Sequence, residues 1–191
     1  IEEFKRLVAE ERKILREDPR WTDFLKDLTS KIEQPIRAAG EFPAERPAGF
    51  DAWAEFNLRP QAQPGYYVAT VKLPLGDFTA AQGRAFADIA AKYTGDSMRL
   101  TVEQNLAFRW LSGADAVAFY EAIDALGLAE AGAGTITDMT SCPGTDTCKL
   151  GISSSRGLTD AVRRHLKVLE PELDADVKKL HVKASGCFNS C

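Results

Sequence analysis

The sequence predicts an α+β fold with three parts. A helical arm or linker covers residues 1–48, a split β-α-β half-domain covers residues 49–132, and the start of an α/β module covers residues 133–191. Three observations support this division. The first residues are charged with helical periodicity, strand and helix patterns alternate from Tyr66 onward, and all four cysteines lie in the last 50 residues of the chain.

The N-terminal part contains two predicted helices and a proline-rich connector. Residues 2–16 carry apolar side chains at helical spacing among charged ones, which predicts the first helix. Pro19 ends that pattern, and residues 22–33 predict the second helix. Five prolines then fall within residues 35–64, so we expect an extended connector there, with a domain boundary near residue 48.

The middle part has the element order of a ferredoxin-like half-domain. Thr79 and Gln82 have the spacing of a capping box at the start of a helix. Leu106, Phe108 and Trp110 alternate, which predicts that they lie on one face of a strand. The predicted elements are a strand over 66–76, a helix over 77–93, two strands within 97–111, a helix over 114–127 and a strand near Ile136.

The last part begins with the first cysteine pair. Residues 156–169 predict a helix whose apolar stripe includes Leu158 and Leu166, and residues 180–185 predict a short strand that leads into the second pair.

Composition and charge exclude several classes of protein. The net charge is −4 and the hydrophobic content is 45%, which is typical of a globular protein in solution. An acidic chain is not expected to bind nucleic acid, which requires a basic face. We find no apolar run long enough for a membrane span and no signal peptide, so we expect a cytoplasmic protein. Because the chain starts with Ile and ends with cysteine, we expect it to be part of a longer polypeptide.

The four cysteines, Cys142, Cys148, Cys187 and Cys191, form two pairs with the spacings C-x5-C and C-x3-C, separated by 38 residues. Disulfides would suit a secreted chain, which this one does not resemble. Structural zinc mostly uses pairs two to four residues apart, so the first pair is long for it. An iron–sulfur cluster is wider than one metal ion and tolerates longer ligand loops, so the pattern favours a four-iron cluster over the other two alternatives.

Two blocks of the sequence resemble the sirohaem-dependent sulfite and nitrite reductases. One is the cysteine signature, and the other is RLTVEQN, residues 99–105, which is similar to the family's R-L-T-x-x-Q-N segment. The resemblance covers residues 50–191 and implies the second, cluster-bearing half of a protein built from two similar halves. Phe188 stands where the family usually has proline, and Thr137 stands where some half-domains of the family have arginine.

This resemblance implies a set of cofactors and ligands. The four cysteines would hold a [4Fe–4S] cluster, and Cys191 would also bridge to the iron of a sirohaem. The side chains that the resemblance places near the sirohaem are Arg99, Thr101, Gln104, Asn105 and Asn189.

The resemblance also implies an activity of the assimilatory type, the six-electron reduction of sulfite to sulfide or of nitrite to ammonia. The electron donor would be a ferredoxin or a flavoprotein. The missing first half would supply most of the basic residues that hold the anion, so we expect this chain alone to be inactive. Two alternatives stay open: an electron-transfer module with a cluster and no haem, and a binding domain stabilised by zinc.

Overall fold

A computed structural model describes residues 1–14, 34–95 and 98–191. Residues 1–33 and 34–191 form two compact units. In the first unit, helix α1 spans Glu2–Ile14 and carries ion pairs one turn apart, such as the one of 2.6 Å between Arg6 and Glu10. The first predicted helix is therefore confirmed over these residues. The second, over 22–33, lies outside the described residues.

The second unit contains short helices and strands in an α+β arrangement, which confirms the predicted fold class. The main elements are α2 (Phe50–Asn57), β1 (Leu58–Pro60), β2 (Tyr66–Val71), α3 (Ala80–Tyr93), β3 (Arg99–Leu100), β4 (Leu106–Ser112), α4 (Ala116–Asp124), β5 (Thr140–Ser141), α5 (Ser155–Leu169), α6 (Ala175–Lys178) and β6 (Lys183–Ala184). Short 3₁₀ turns lie at Pro74–Gly76, Gly113–Asp115, Gly144–Asp146 and Glu170–Glu172.

The larger sheet is antiparallel, with the strand order β1-β2-β4-β3. Its inward side chains pack against α3 and α4. Phe108 of β4 lies 6.2 Å from the ring of Phe86 on α3 and 5.2 Å from the ring of Phe119 on α4, measured between ring centroids. All three rings are fully buried, so an aromatic cluster joins the sheet to both helices.

The boundaries of α3 and α4 follow from local sequence. Thr79 and Gln82 make the predicted capping box, in which each side chain bonds the other residue's backbone N–H. Helix α4 ends at Asp124, and Gly127, which has a φ of 70° and donates its N–H to the carbonyl of Asp124, closes the turn that follows the helix. These two predictions are confirmed.

The predicted alternation along β4 is wrong at its third position. Leu106 and Phe108 are buried, but the next buried residue is Leu111 rather than Trp110. The register between β2 and β4 shifts here, and Trp110 has a φ of 63°, as expected of an extra residue in a bulge. Gln61 accepts the hydrogen bond of the Trp110 N–H, which supports the bulged conformation.

Three other expectations about elements are also wrong. The proline-rich connector contains α2 and β1, because Phe50 and Trp53 are fully buried in the core while the prolines lie outside this helix. The region near Ile136 forms turns rather than a strand, and the Ile136 N–H bonds the carbonyl of Lys178. On α5, Leu158 is exposed, and the buried positions are instead Ser155 and Thr159.

A charged cluster joins α5 to the end of β2. The Lys72 ammonium is buried and lies 2.7 Å from a carboxylate oxygen of Glu130, while Lys167 of α5 lies 2.8 Å from the other oxygen. Burial alone would raise the pKa of the Glu130 carboxyl, but Lys72 and Lys167 outweigh it and hold that pKa below its usual value of 4.5. The carboxylate therefore stabilises the fold in its ionised form.

We predict that Glu130→Gln lowers the free energy of unfolding at pH 7 by about 1–3 kcal/mol, since the buried Lys72 loses its charged partner. Because the pKa of Glu130 is lower in the folded state, its contribution is complete above 4.5 and is lost as the pH falls through the folded value. Urea unfolding of both proteins across this acidic range should therefore show the difference shrinking toward low pH.

The matched control is Glu121→Gln, since Glu121 is an exposed carboxylate on α4. It should change the free energy of unfolding by less than about 0.5 kcal/mol at either pH. A difference at Glu130 that stays constant with pH would contradict this account.

Candidate functional site

The two cysteine pairs lie on neighbouring loops because β5 and β6 pair in parallel. Thr140 faces Lys183 and Ser141 faces Ala184 in this two-stranded sheet. Each strand runs directly into a cysteine loop, and the Cys142 N–H continues the pairing with a bond of 3.1 Å to the Ala184 carbonyl. The carboxyl ends of parallel strands meet at the same edge, so both loops start side by side.

Three glycines allow these loops to touch through their backbones. A Cβ on Gly186 would lie 2.7 Å from the Cα of Gly144, and a Cβ on Gly151 would lie 2.6 Å from the carbonyl carbon of Gly144. The Gly186 carbonyl also accepts the N–H groups of Ile152 and Ser153, at 2.8 and 3.0 Å. No side chain fits at this contact, so glycine is required for the approach of the two loops.

The Cys142 sulfur contacts two polar groups, the backbone N–H of Gly186 and the hydroxyl of Ser155. The Gly186 N–H donates to it at 3.1 Å, and the Ser155 hydroxyl lies 3.4 Å away while also bonding the Cys142 carbonyl at 2.7 Å. The Ser155 hydroxyl first, and the Gly186 N–H second, hold the pKa of the Cys142 thiol below its ordinary value. This environment favours a thiolate, the form in which cysteine binds metal.

An open cavity of about 540 Å³ lies beside these loops. Cys142 and Cys191 both line it, together with Gln104 and Lys183. Lys183 brings a positive charge to this cavity, which suits an anionic ligand. All four cysteines are free thiols, and Cys148 and Cys191 are exposed. Within residues 1–14, 34–95 and 98–191, no three His, Cys, Asp or Glu side chains lie close enough to hold one metal ion.

The predicted site residues on the β3–β4 turn have different positions. Arg99 lies on β3, paired with Ala107, and its residue is exposed. The Thr101 hydroxyl accepts the N–H of Asn105 at 3.2 Å, which closes the turn. Gln104 lines the cavity and has a φ of 62°, a left-handed conformation unusual for a residue other than glycine.

The side chains of Gln104 and Asn105 bond to other parts of the chain. Gln104 donates from Nε2 to the Ser141 carbonyl at 2.8 Å and accepts the Ser141 N–H at 3.2 Å, so it holds the peptide just before Cys142. Asn105 is buried, accepts the Leu73 N–H at 2.9 Å and donates to Asp138 at 2.8 Å. These bonds position the segment before the cysteines. The predicted contacts of both residues with a tetrapyrrole stay predictions.

Asn189 lies between the last two cysteines and is exposed, next to Ser190, which has a φ of 53°. Cys187 is half-buried, and its carbonyl accepts the Ser185 hydroxyl at 2.9 Å. The roles of these residues as ligands or cofactor contacts are likewise still predictions.

Sequence reasoning missed the role of the first turn of α5. Ser155 is buried against Cys142, as described above, and its neighbour Arg156 bonds the Leu75 carbonyl at 3.0 Å and lies 3.2 Å from Asp146 in the first cysteine loop. The helix start at Ser154, whose side chain accepts the Gly157 N–H, was the available signal. A helix that starts soon after the first cysteine pair must place its first turn near that pair.

Comparison with known proteins gives a consistent result. Residues 59–126 match the family model described as the nitrite/sulfite reductase ferredoxin-like half domain, which confirms the predicted ferredoxin-like part. The chain is 28% identical over 174 residues to the assimilatory ferredoxin-dependent nitrite reductase of Haloferax mediterranei, a match that covers 89% of this chain and 29% of that protein.

The fold is also similar to that of the NirA protein of Mycobacterium tuberculosis. That match has a TM-score of 0.61 at 20% identity and covers 90% of this chain and 30% of the NirA chain. The chain therefore spans less than a third of the length of either relative. Among the described residues, no helix has the length and apolar character needed to cross a membrane. The three comparisons agree: residues 59–126 are similar to the ferredoxin-like half domain of nitrite/sulfite reductases, the sequence is similar to that of a nitrite reductase, and the fold is similar to that of NirA.

Proposed function

We propose that this chain forms the cluster-bearing part of an assimilatory nitrite or sulfite reductase. The observation that carries the proposal is the backbone contact of two loops that together hold four free cysteines, next to a matched half-domain of this family. The relative from Haloferax mediterranei is named as a ferredoxin-dependent nitrite reductase, so nitrite is the substrate and ferredoxin the donor that we propose first. We further propose that the protein acts in the cytoplasm.

The residues present fit a [4Fe–4S] cluster. Its four thiolates are spread over a group wider than a single ion, so ligands of a cluster need not lie within the reach of one metal atom. The Cys142 sulfur already receives the Gly186 N–H, and such bonds stabilise a charged cluster and tune its potential. The lowered pKa of Cys142 favours the thiolate that a cluster binds.

The proposed ligands are Cys142, Cys148, Cys187 and Cys191, and we propose that Cys191 also reaches the iron of a sirohaem. When bound, the two groups would supply single-electron transfer to an oxyanion at the tetrapyrrole iron. The chain's own residues prepare that site. Gln104 fixes the peptide before Cys142, and Lys183 brings positive charge to the cavity that Cys142 and Cys191 line. That charge favours an anionic ligand such as nitrite, sulfite or a tetrapyrrole carboxylate.

The experiment that tests this function uses the complete protein, purified without oxygen. We expect about five iron per chain, four in the cluster and one in the tetrapyrrole, with about four acid-labile sulfide, a visible spectrum with tetrapyrrole bands, and reduction of nitrite to ammonia by reduced ferredoxin. Sulfite reduction at a higher kcat/KM than nitrite reduction would assign the other substrate. Iron and sulfide without tetrapyrrole bands would indicate an electron-transfer module, and zinc without iron would indicate a structural domain; either result would contradict the proposal.

We predict that Cys187→Ser in the complete protein removes most of the iron and acid-labile sulfide, because the cluster loses one of four ligands. Iron and sulfide analysis measures the loss. The matched control, Ser190→Ala, changes a neighbouring exposed residue and should retain both. Equal iron content in the two variants would contradict the ligand assignment.

We also predict that Gly186→Ala separates the two cysteine loops. The new Cβ would lie 2.7 Å from the Gly144 Cα and 2.8 Å from the Ser153 carbonyl oxygen, and both are backbone atoms that cannot turn aside. We expect a loss of about 1–3 kcal/mol in the free energy of unfolding, as for overpacked sites, together with a lower iron content.

Gly83→Ala provides the control for this change. Its Cβ would meet the ring of Phe78 at 3.0 Å, a side chain that can move, and Gly83 lies within α3. In a helix, alanine is favoured over glycine by roughly 0.5–1 kcal/mol. Thermal unfolding and iron analysis should therefore separate the two variants, and a similar loss of iron in both would show that the loop contact is not the cause.

A further inference from the structure

A second cavity, of about 350 Å³, shares Gln104, Ser141 and Pro143 with the first. It is lined by the turn at Pro74–Gly76, the β3–β4 turn, Ser141 and Pro143, and Arg156. Three of its lining residues have positive φ: Leu75 at 60°, Gly76 at 72° and Gln104 at 62°. Two of these are not glycine, and strained backbone of this kind persists only where the surroundings fix it.

Arg156 is the side chain that joins these pieces. Its Nη1 donates to the carbonyl of the strained Leu75 at 3.0 Å, and its Nη2 pairs with Asp77. Its Nε lies 3.2 Å from Asp146, which belongs to the loop between Cys142 and Cys148. One guanidinium thus contacts the half-domain on one side and the first cysteine loop on the other.

The charges and burial make this more than a surface ion pair. The Arg156 side chain is only 20% exposed, whereas the side chains of Asp77 and Asp146 are 70% and 48% exposed. Exposed pairs contribute little by themselves. A largely buried guanidinium that contacts three partners through its three nitrogens is different, because its planar fork fixes them in one geometry, which a lysine ammonium on a flexible stem does not do.

We propose that Arg156 is a positioning residue for the cluster. It holds the loop from Cys142 to Cys148 against the turn at Pro74–Gly76, and so sets where the first two thiolates stand relative to the second pair. This inference rests on the proposed function, since it concerns a cluster held by these cysteines. Arg156 acts through Asp146 and is not itself a ligand.

The experiment compares variants of the complete protein, purified without oxygen. Arg156→Ala removes all three contacts, Arg156→Lys keeps the charge without the fork, and Asp146→Asn weakens only the contact to the loop. Arg164→Ala is the matched control, because Arg164 lies on the same helix, is exposed and pairs with Asp160 within that helix. The readouts are amide hydrogen exchange of residues 142–148 and the paramagnetic resonance spectrum and midpoint potential of the reduced cluster.

In Arg156→Ala we expect about tenfold faster exchange in residues 142–148, the size expected from losing hydrogen bonds to a charged group. The resonance spectrum and the midpoint potential should both differ from those of the original protein. Arg156→Lys should restore these properties only in part, and Arg164→Ala should change none of them. A purely structural role would lower the unfolding temperature of Arg156→Ala while leaving the spectrum and potential unchanged.

Each outcome bears on a separate claim. If the original protein holds a cluster and Arg156→Ala matches it in exchange, spectrum and potential, the positioning role is wrong and the proposed function stands. If the original protein holds no cluster, the proposed function fails and the positioning role fails with it. If Arg156→Ala does not fold, Asp146→Asn decides: faster exchange with an altered spectrum supports the inference, and unchanged values overturn it.

Discussion

The backbone contact between Gly144, Gly151 and Gly186 is the constraint on which the candidate site depends. At this contact an added Cβ would lie within 2.8 Å of a main-chain atom of the opposing segment. The two cysteine pairs are 38 residues apart in the chain, so no local rule relates them. Because glycine lets main chain meet main chain, the position of each pair is set by the other loop and not by flexible side chains.

The half-domain supports this contact through side-chain amides rather than through apolar packing alone. Each of three amides bonds the main chain of a segment distant in sequence. Asn57 and Gln104 hold the stretch that leads to Cys142 directly, and Asn105 also holds it through a bond to the Asp138 carboxylate. A buried amide that loses its partner costs about 1–3 kcal/mol, so these bonds restrict the chain to one path. The bonds are those of Asn57 to the Thr70 carbonyl and the Gly132 N–H, of Asn105 to the Leu73 N–H, and of Gln104 to both polar groups of the Ser141 peptide.

Sequence reasoning succeeded where the determining information is local. The capping box at Thr79 and the glycine at 127 need only their neighbours in the chain, and both are present as predicted. It failed where distant contacts decide. The bulge at Trp110 depends on Gln61, which lies 49 residues away, and the helix at Phe50–Asn57 forms among prolines because its aromatic side chains complete a remote core.

The same division applies to the candidate site. Cysteine spacing is local, and it identified the four thiols, whereas the contacts of Arg156 reach up to 81 residues along the chain. Gln104 shows how one motif residue can combine a structural bond to Ser141 with the predicted contact to a cofactor. An amide has two N–H hydrogens and two lone pairs on its oxygen. Gln104 uses one of each on Ser141, so it can hold that peptide and still donate into the cavity that it lines, whereas Asn105 is 1% exposed and can bond only within the protein.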